Sequence, residues 1–155
     1  MAIQFSKSTL EGEVNISGAK NSVLRLMAAS ILTDETVTLK NYPSSLLDAQ
    51  VHLEMLEALG KKCINLTPDS ISIEACEGLK SSLEWEGRSI RNTLLILGAL
   101  TARIGQGAVP LPGGCQLGDR SFDLHEMLLR TLGARVWQEG NMLCAEAPKG
   151  GLRSE

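Results

Sequence analysis

Aromatic side chains are scarce: two Phe, two Trp and one Tyr make up 3% of 155 residues. Cations are unclustered too, with a formal net charge of −3 and no block of Lys and Arg. A nucleic-acid surface needs clustered positive charge and, for single strands, stacking rings. No nucleic-acid partner is therefore expected. Long apolar runs are also missing. The longest, from Leu94 to Leu100, is interrupted by Gly98, far short of the roughly 20 apolar residues a membrane helix needs. No membrane partner is expected. The opening MAIQFSK lacks a charged start leading into an apolar core, so the expected location is the cytoplasm. Cysteine is modest in number and poorly spaced for metal. Cys63, Cys76, Cys115 and Cys144 form no CxxC pair, and His52 and His125 do not stand at ligand spacing beside them. This speaks against a zinc site and against a disulfide framework. Cys63, Cys76 and Cys144 lie in or beside apolar-alternating stretches and are expected as small core residues.

What is present is ordinary for a globular α/β protein: 43% hydrophobic and 21% charged residues. Alternating runs predict strands over Glu13–Ser17, Thr36–Lys40, Lys62–Leu66, Ser70–Glu74, Gly107–Leu111, Ala134–Gln138 and Met142–Glu146. Helical spacing predicts helices over Asn21–Thr33, Leu46–Gly60, Ile90–Ile104 and Ser121–Gly133. In the second of these, Leu47, Val51, Met55 and Leu59 form one apolar stripe, with Asp48, His52, Glu54 and Glu57 off it. The first and third, "VLRLMAASIL" and "LLILGAL", are apolar nearly all round, which predicts burial between layers.

An internal repeat connects these elements. "NSVLRLMAASIL" matches "NTLLILGALTAR" 71 positions on, and "HLEMLEALG" matches "HEMLLRTLG" 73 positions on. "SIEACEGLKS" matches "CAEAPKGGLRS", also ending 73 positions on. The expectation is two copies of a buried helix, strand, amphipathic helix and hairpin, over about residues 13–81 and 82–155. A repeat unit with one apolar face needs neighbours. The chain stops where a third copy would start, which leaves two expectations: a fragment, or a protein that self-associates. The copies differ before the amphipathic helix. The first has "NYPSSLLD"; the second has the longer "LPGGCQLGDRSFD", where function is expected because loops on rigid scaffolds carry it.

Three places carry chemical potential. Gly18-Ala19-Lys20-Asn21 opens the first helix, where unpaired backbone N–H groups and the dipole favour an anion and Lys20 adds a full charge. Arg88 and Arg91 open the equivalent helix, at the end where cations oppose the dipole and a bound anion would offset them. Cys115 follows Gly113 and Gly114, and thiol reactivity needs nearby positive charge, which Arg120 offers from five residues on. For each, a structural reading stands beside the functional one: an exposed lysine, solvated arginines, an inert loop cysteine. His125 alone reads as a structural histidine.

"GAKNSVLRLMAASIL", "RSIRNTLLILGALTARIGQG" and "LPGGCQLGDRSFDLHEMLLRTLGA" resemble the enolpyruvyltransferases, in particular the bacterial branch that begins peptidoglycan synthesis, nearly end to end. The PGGC-x-x-G-x-R-x-x-D-L-H string is very specific to that branch. The resemblance implies an inside-out α/β barrel of repeated βαβαββ-type units, of which this chain would be an N-terminal part. It implies transfer of an enolpyruvyl group from phosphoenolpyruvate to the 3-hydroxyl of UDP-N-acetylglucosamine, with phosphate released and no metal or organic cofactor. Cys115 would be the general acid toward the phosphoenolpyruvate methylene. Lys20, Arg91 and Arg120 would bind its phosphate and carboxylate, Asn21 the nucleotide sugar, and His125 would stand behind the loop. The aspartate that serves as base would belong to a part of the enzyme absent here, so the chain alone is expected to be inactive or nearly so.

Three residues depart from the pattern. Ser121 stands where proline is usual, Asp119 where a small neutral residue is usual, and Asn92 replaces an alanine. A carboxylate beside Arg120 weakens an anion pocket, so the acceptor stays open between a UDP-sugar and a plain uridine nucleotide of the kind used in nucleoside-antibiotic synthesis. Two other classes remain: a non-catalytic phosphate- or nucleotide-binding half-domain, and an oligomeric scaffold completed by a second chain.

Overall fold

Helix formation and strand pairing follow the apolar spacing closely. The computed structural model describes residues 3–113 and 121–153. The order is α1 (Lys20–Ala29) with a 3-10 turn (Ser30–Leu32), β1 (Val37–Lys40), α2 (Leu47–Ala58), β2 (Lys62–Thr67) and β3 (Ser70–Glu74). The same order then returns as α3 (Thr93–Ile104), β4 (Gln106–Pro110), α4 (Asp123–Thr131), β5 (Arg135–Glu139) and β6 (Met142–Glu146). Each half holds a three-stranded antiparallel sheet, ordered β1-β3-β2 and β4-β6-β5. The register repeats as well: Thr38 lies opposite Ser72 in the first sheet and Ala108 opposite Cys144 in the second.

Small details repeat for physical reasons. α2 and α4 end alike, because Gly60 (φ 105°) and Gly133 (φ 88°) take the left-handed conformation a C-terminal cap requires. The N–H groups of Gly60 and Lys61 then bond the carbonyls of Glu57 and Leu56. Those of Gly133 and Ala134 bond Arg130 and Leu129. Ser30 and Thr101, at matching places in the buried helices, each donate a hydroxyl to a carbonyl of the preceding turn, of Met27 and Leu97. A buried hydroxyl without such a bond would cost about 1–3 kcal/mol.

One apolar core spans both halves, from Leu24, Met27 and Met55 through Ile71 and Ile73 to Leu97, Leu100 and Leu143. Helix α3 is its centre. It packs on β4 and β6 of its own sheet and against α1 and the 3-10 turn of the other half.

Four expectations are corrected. Glu13–Ser17 alternates but is no strand; Val14 and Ile16 are exposed, and no described segment pairs with them. α1 is not covered all round. Leu26 and Leu32 are half exposed, and Ala28, Leu32, Leu94, Gly98, His125 and Leu128 line an apolar groove of about 290 Å³ between α1, α3 and α4. The buried face of α2 is wider than the expected stripe: Val51, Met55 and Leu59 are buried as expected, but Leu47 is half exposed and His52 is fully buried beside Met55 and Leu56. Leu47 is the first residue of the helix, and His52 shares the inward face with Met55, Leu56 and Leu59 at the i+3, i+4 and i+7 positions. Finally, Cys144 is buried as expected, but Cys63 and Cys76 are only partly so, because β2 is an edge strand and Cys76 follows the end of β3.

Candidate functional site

The two helix starts that drew attention as sequence are built on one plan. Lys20 is the first residue of α1, and its ammonium pairs with the carboxylate of Asp48 in the first turn of α2. Arg91 precedes α3, and its guanidinium donates to the carbonyl of Ser121 just ahead of α4. In the repeat, Lys20 corresponds to Arg91 and Asp48 to Ser121. In both halves, then, a cation at the start of the buried helix reaches to the start of the amphipathic helix. The chain folds this way because each amphipathic helix follows its strand by a connection that returns to the N-terminal end of the buried helix.

The second plan carries the longer connection, and residues 89–91 hold both of its described ends. The Gly113 N–H donates to the Ser89 hydroxyl at 2.8 Å, and Arg91 takes Ser121. Gly113 is needed for the first contact, since a Cβ there would overlap the Ser89 side chain. Trp85 fixes the approach to this turn by donating its indole N–H to the Arg88 carbonyl at 3.0 Å. Asp123 completes the group. Its carboxyl is held below the usual carboxylate range by the hydrogen bond from the Ser121 hydroxyl, by its own backbone N–H, and by the charge of Arg91. Cys115 and Arg120 lie outside the described residues, between these two anchors in sequence.

Asn21 is exposed at the second position of α1, and its carbonyl accepts from Arg25 at 2.7 Å. Arg25 in turn lines the apolar groove together with His125, which is exposed in the first turn of α4. Lys20 and Asn21 thus share one helix start, and Arg91 meets Ser121 ahead of α4, four residues before His125. Sequence reading assigned no site role to Asp48, Ser89, Ser121 or Asp123. The repeat held the signal for two of them, since whatever faces Arg91 has a counterpart facing Lys20. Among the described residues no cluster of three or more His, Cys, Asp or Glu is placed to hold a metal ion, and none forms a helix long and apolar enough to cross a membrane.

Comparison with known proteins gives this arrangement its context. The sequence pattern of the EPSP synthase (3-phosphoshikimate 1-carboxyvinyltransferase) family matches residues 6–153. Two curated relatives are named UDP-N-acetylglucosamine 1-carboxyvinyltransferase. The one from Wolinella succinogenes is 38% identical over 142 residues, 91% of this chain and 34% of the relative. The one from Akkermansia muciniphila is 39% identical over 143 residues, 92% of this chain and 33% of the relative. The chain therefore spans about a third of the length of the curated relatives it matches. Among solved structures, the enolpyruvyl transferase NikO from Streptomyces tendae superposes with a TM-score of 0.70 at 22% identity, over 93% of this chain and 31% of that one. EPSP synthase from Acinetobacter baumannii gives 0.63 at 18% identity, over 87% and 32%. The likeness in structure shows the fold, repeated units of the inside-out α/β type. With the family pattern running through nearly all of its residues, this chain belongs to the EPSP synthase family of carboxyvinyltransferases.

Proposed function

We propose that this chain is an N-terminal part of an enzyme that moves the enolpyruvyl group of phosphoenolpyruvate onto the 3-hydroxyl of UDP-N-acetylglucosamine and releases phosphate. The proposed organisation is two repeats, about residues 13–81 and 82–155, with the remainder of the two-domain enzyme outside this sequence. The observation that carries the reading is the shared placement of Lys20 and Arg91, with residues 89–91 anchoring both ends of the stretch that contains Cys115 and Arg120. The names of the two relatives favour this acceptor over a plain uridine nucleotide.

The chemistry asks for these residue types. Phosphoenolpyruvate is strongly anionic, so Lys20, Arg91 and Arg120 serve as its cationic cradle, and arginine can hold a carboxylate or phosphate by two parallel bonds. Protonation of the methylene carbon by the Cys115 thiol leaves a cation-like centre at the neighbouring carbon. The acceptor hydroxyl attacks that centre and loses its proton to a base outside this chain. Loss of a proton from the new methyl group then expels phosphate and restores the double bond on the acceptor. The same cations lower the pKa of a thiol placed among them. Asn21 would bind the nucleotide sugar from the start of α1, and His125 would support the Cys115 stretch from α4. The non-catalytic alternative is ligand binding without turnover.

Phosphate release from phosphoenolpyruvate, measured with UDP-N-acetylglucosamine and with UMP, tests the reading once the chain is joined to the remainder of its enzyme. Cysteine-dependent release with the UDP-sugar is expected, lost in Cys115→Ala. Release only with UMP would overturn the acceptor. Phosphoenolpyruvate binding without release, unchanged by Cys115→Ala, would establish the binding-module alternative.

A further inference from the structure

Between the buried Leu83 and Ile90 the second unit runs six residues without helix or strand. Glu84, Glu86, Gly87, Arg88 and Ser89 are exposed, and Trp85 alone turns inward to pack on the core. So open a segment samples many backbone states unless something ties it. Trp85 supplies the tie. Its indole N–H, a donor only, reaches forward to the Arg88 carbonyl at 3.0 Å and closes the turn from side chain to backbone. The ring also fills the space beside Gly87, where a Cβ would stand 2.5 Å from Cζ2 and 2.8 Å from Cε2. Ring, glycine and carbonyl thus form one clasp over residues 85–88.

The residues that follow are the ones that reach the long connection. The Ser89 hydroxyl accepts from the Gly113 N–H, and the Arg91 guanidinium donates to the Ser121 carbonyl. Where both stand depends on where the clasp leaves the chain at Arg88. The repeat isolates this feature. Residues 7–13, KSTLEGE, match residues 80–86, KSSLEWE, 73 positions on, with five of seven residues identical, and Gly12 stands in the place of Trp85. The unit with the short NYPSSLLD connection has the glycine; the unit with the long LPGGCQLGDRSFD connection has the tryptophan. The first unit builds its share of the core without such a ring, so the tryptophan goes with the longer connection rather than with the repeat.

We propose that Trp85 is a positioning residue for the enolpyruvyl transfer: by fixing the turn at Arg88 it sets the Arg91 guanidinium for phosphoenolpyruvate and the Ser89 hydroxyl for Gly113. It acts through backbone and not by touching substrate. The inference rests on the reading above, in which Arg91 binds phosphoenolpyruvate. A guanidinium already held in place binds an anion more tightly than one that must first be ordered, because less freedom is lost on binding.

The test uses the full-length enzyme that contains this chain. Trp85→Phe removes the indole N–H and keeps an aromatic ring. Gly87→Ala keeps the N–H and pushes the ring aside, at an exposed position where folding tolerates the change. Half-saturation by each substrate is read from phosphate release, and phosphoenolpyruvate affinity from calorimetry. Each variant is expected to weaken phosphoenolpyruvate by about three- to tenfold in both measurements, the range of one lost hydrogen bond. Half-saturation by UDP-N-acetylglucosamine should move by less than about twofold, with the thermal midpoint held. The double variant should be no more than about twofold worse than the poorer single, because both break one clasp. Unchanged phosphoenolpyruvate values in both singles would overturn the proposal. So would equal weakening of both substrates with a lowered midpoint, or a double variant whose effect is the product of the singles. A wild-type enzyme that releases no phosphate would instead overturn the enzymatic reading. The clasp is then judged by calorimetry alone, where equal phosphoenolpyruvate affinity in wild type and Trp85→Phe would overturn it.

Discussion

Acid should weaken this fold through a single histidine. His52 is fully buried, and neither ring nitrogen has a hydrogen-bond partner among the described residues. Burial without a partner disfavours the imidazolium and pushes the His52 pKa down from 6.5 to about 4. The unfolded chain keeps the ordinary value and binds the proton first. Between pH 6.5 and 4 the unfolded state therefore holds more protons, and stability falls as pH falls. Above that window the contribution is fully present. Across it the loss approaches about 3 kcal/mol, since each unit of pKa difference is worth about 1.4 kcal/mol. That is a large share of the 5–15 kcal/mol typical of a domain. Urea unfolding followed by the fluorescence of Trp85 and Trp137, at several values between pH 7 and 4.5, measures it. His52→Leu should remove most of the slope in this window. The variant is informative even if less stable overall, because the readout is the pH dependence. A wild-type midpoint that stays flat from pH 6.5 to 4.5, or an equal slope in His52→Leu, would refute the reasoning.

Other consequences concern the helix starts and the thiols. A Cβ on Gly18 would sit on the carbonyl oxygen of Asn41 and press the ring of Pro43. Gly18→Ala should therefore cost about 1–3 kcal/mol in urea unfolding, and an unchanged midpoint would show that the 16–18 segment moves aside freely. Asp48→Asn removes the partner of Lys20, but Lys20 is half exposed, so stability should change by less than about 1 kcal/mol; a larger loss would mean the pair is coupled to the core. Burial, aided by the charge of Glu57, pushes the Cys63 thiol up to about 12. It should resist iodoacetamide at pH 8 in the folded chain and react in urea, as read by peptide mass spectrometry; equal rates would refute its protection. The same shift leaves the fold unaffected at neutral pH and lowers its stability as pH rises from 9 toward 12, where the unfolded thiol ionises first.

Periodicity alone located the helices and the paired strands, because apolar spacing of 3.6 or 2 reports directly which side chains can share a face. It also placed two copies of one unit, and the structure repeats their caps, hydroxyl bonds and sheet registers. It placed Val51, Met55 and Leu59 on the inward face of α2 but missed His52. His52 counts as polar in a pattern, yet it shares a face with the buried Met55, Leu56 and Leu59. Nor could it distinguish Glu13–Ser17 from a strand, because alternation describes one chain and a strand is a property of two.

The site divides in the same way. Lys20, Asn21 and Arg91 could be named as candidates because helix starts and cations are local features, and Cys115, Arg120 and His125 because a contiguous motif carries its own signature. Asp48 facing Lys20, and Ser89 and Ser121 holding the two ends of the Cys115 stretch, were decided by tertiary structure. These contacts join residues tens of positions apart, and their formation depends on how strand, helix and connection close on one another. The sequence by itself determined the unit and its repetition, and named the candidate side chains for the site. Only the folded chain decided which of these side chains meet across the helix starts and which sheet edge is covered, because such contacts join residues distant in sequence.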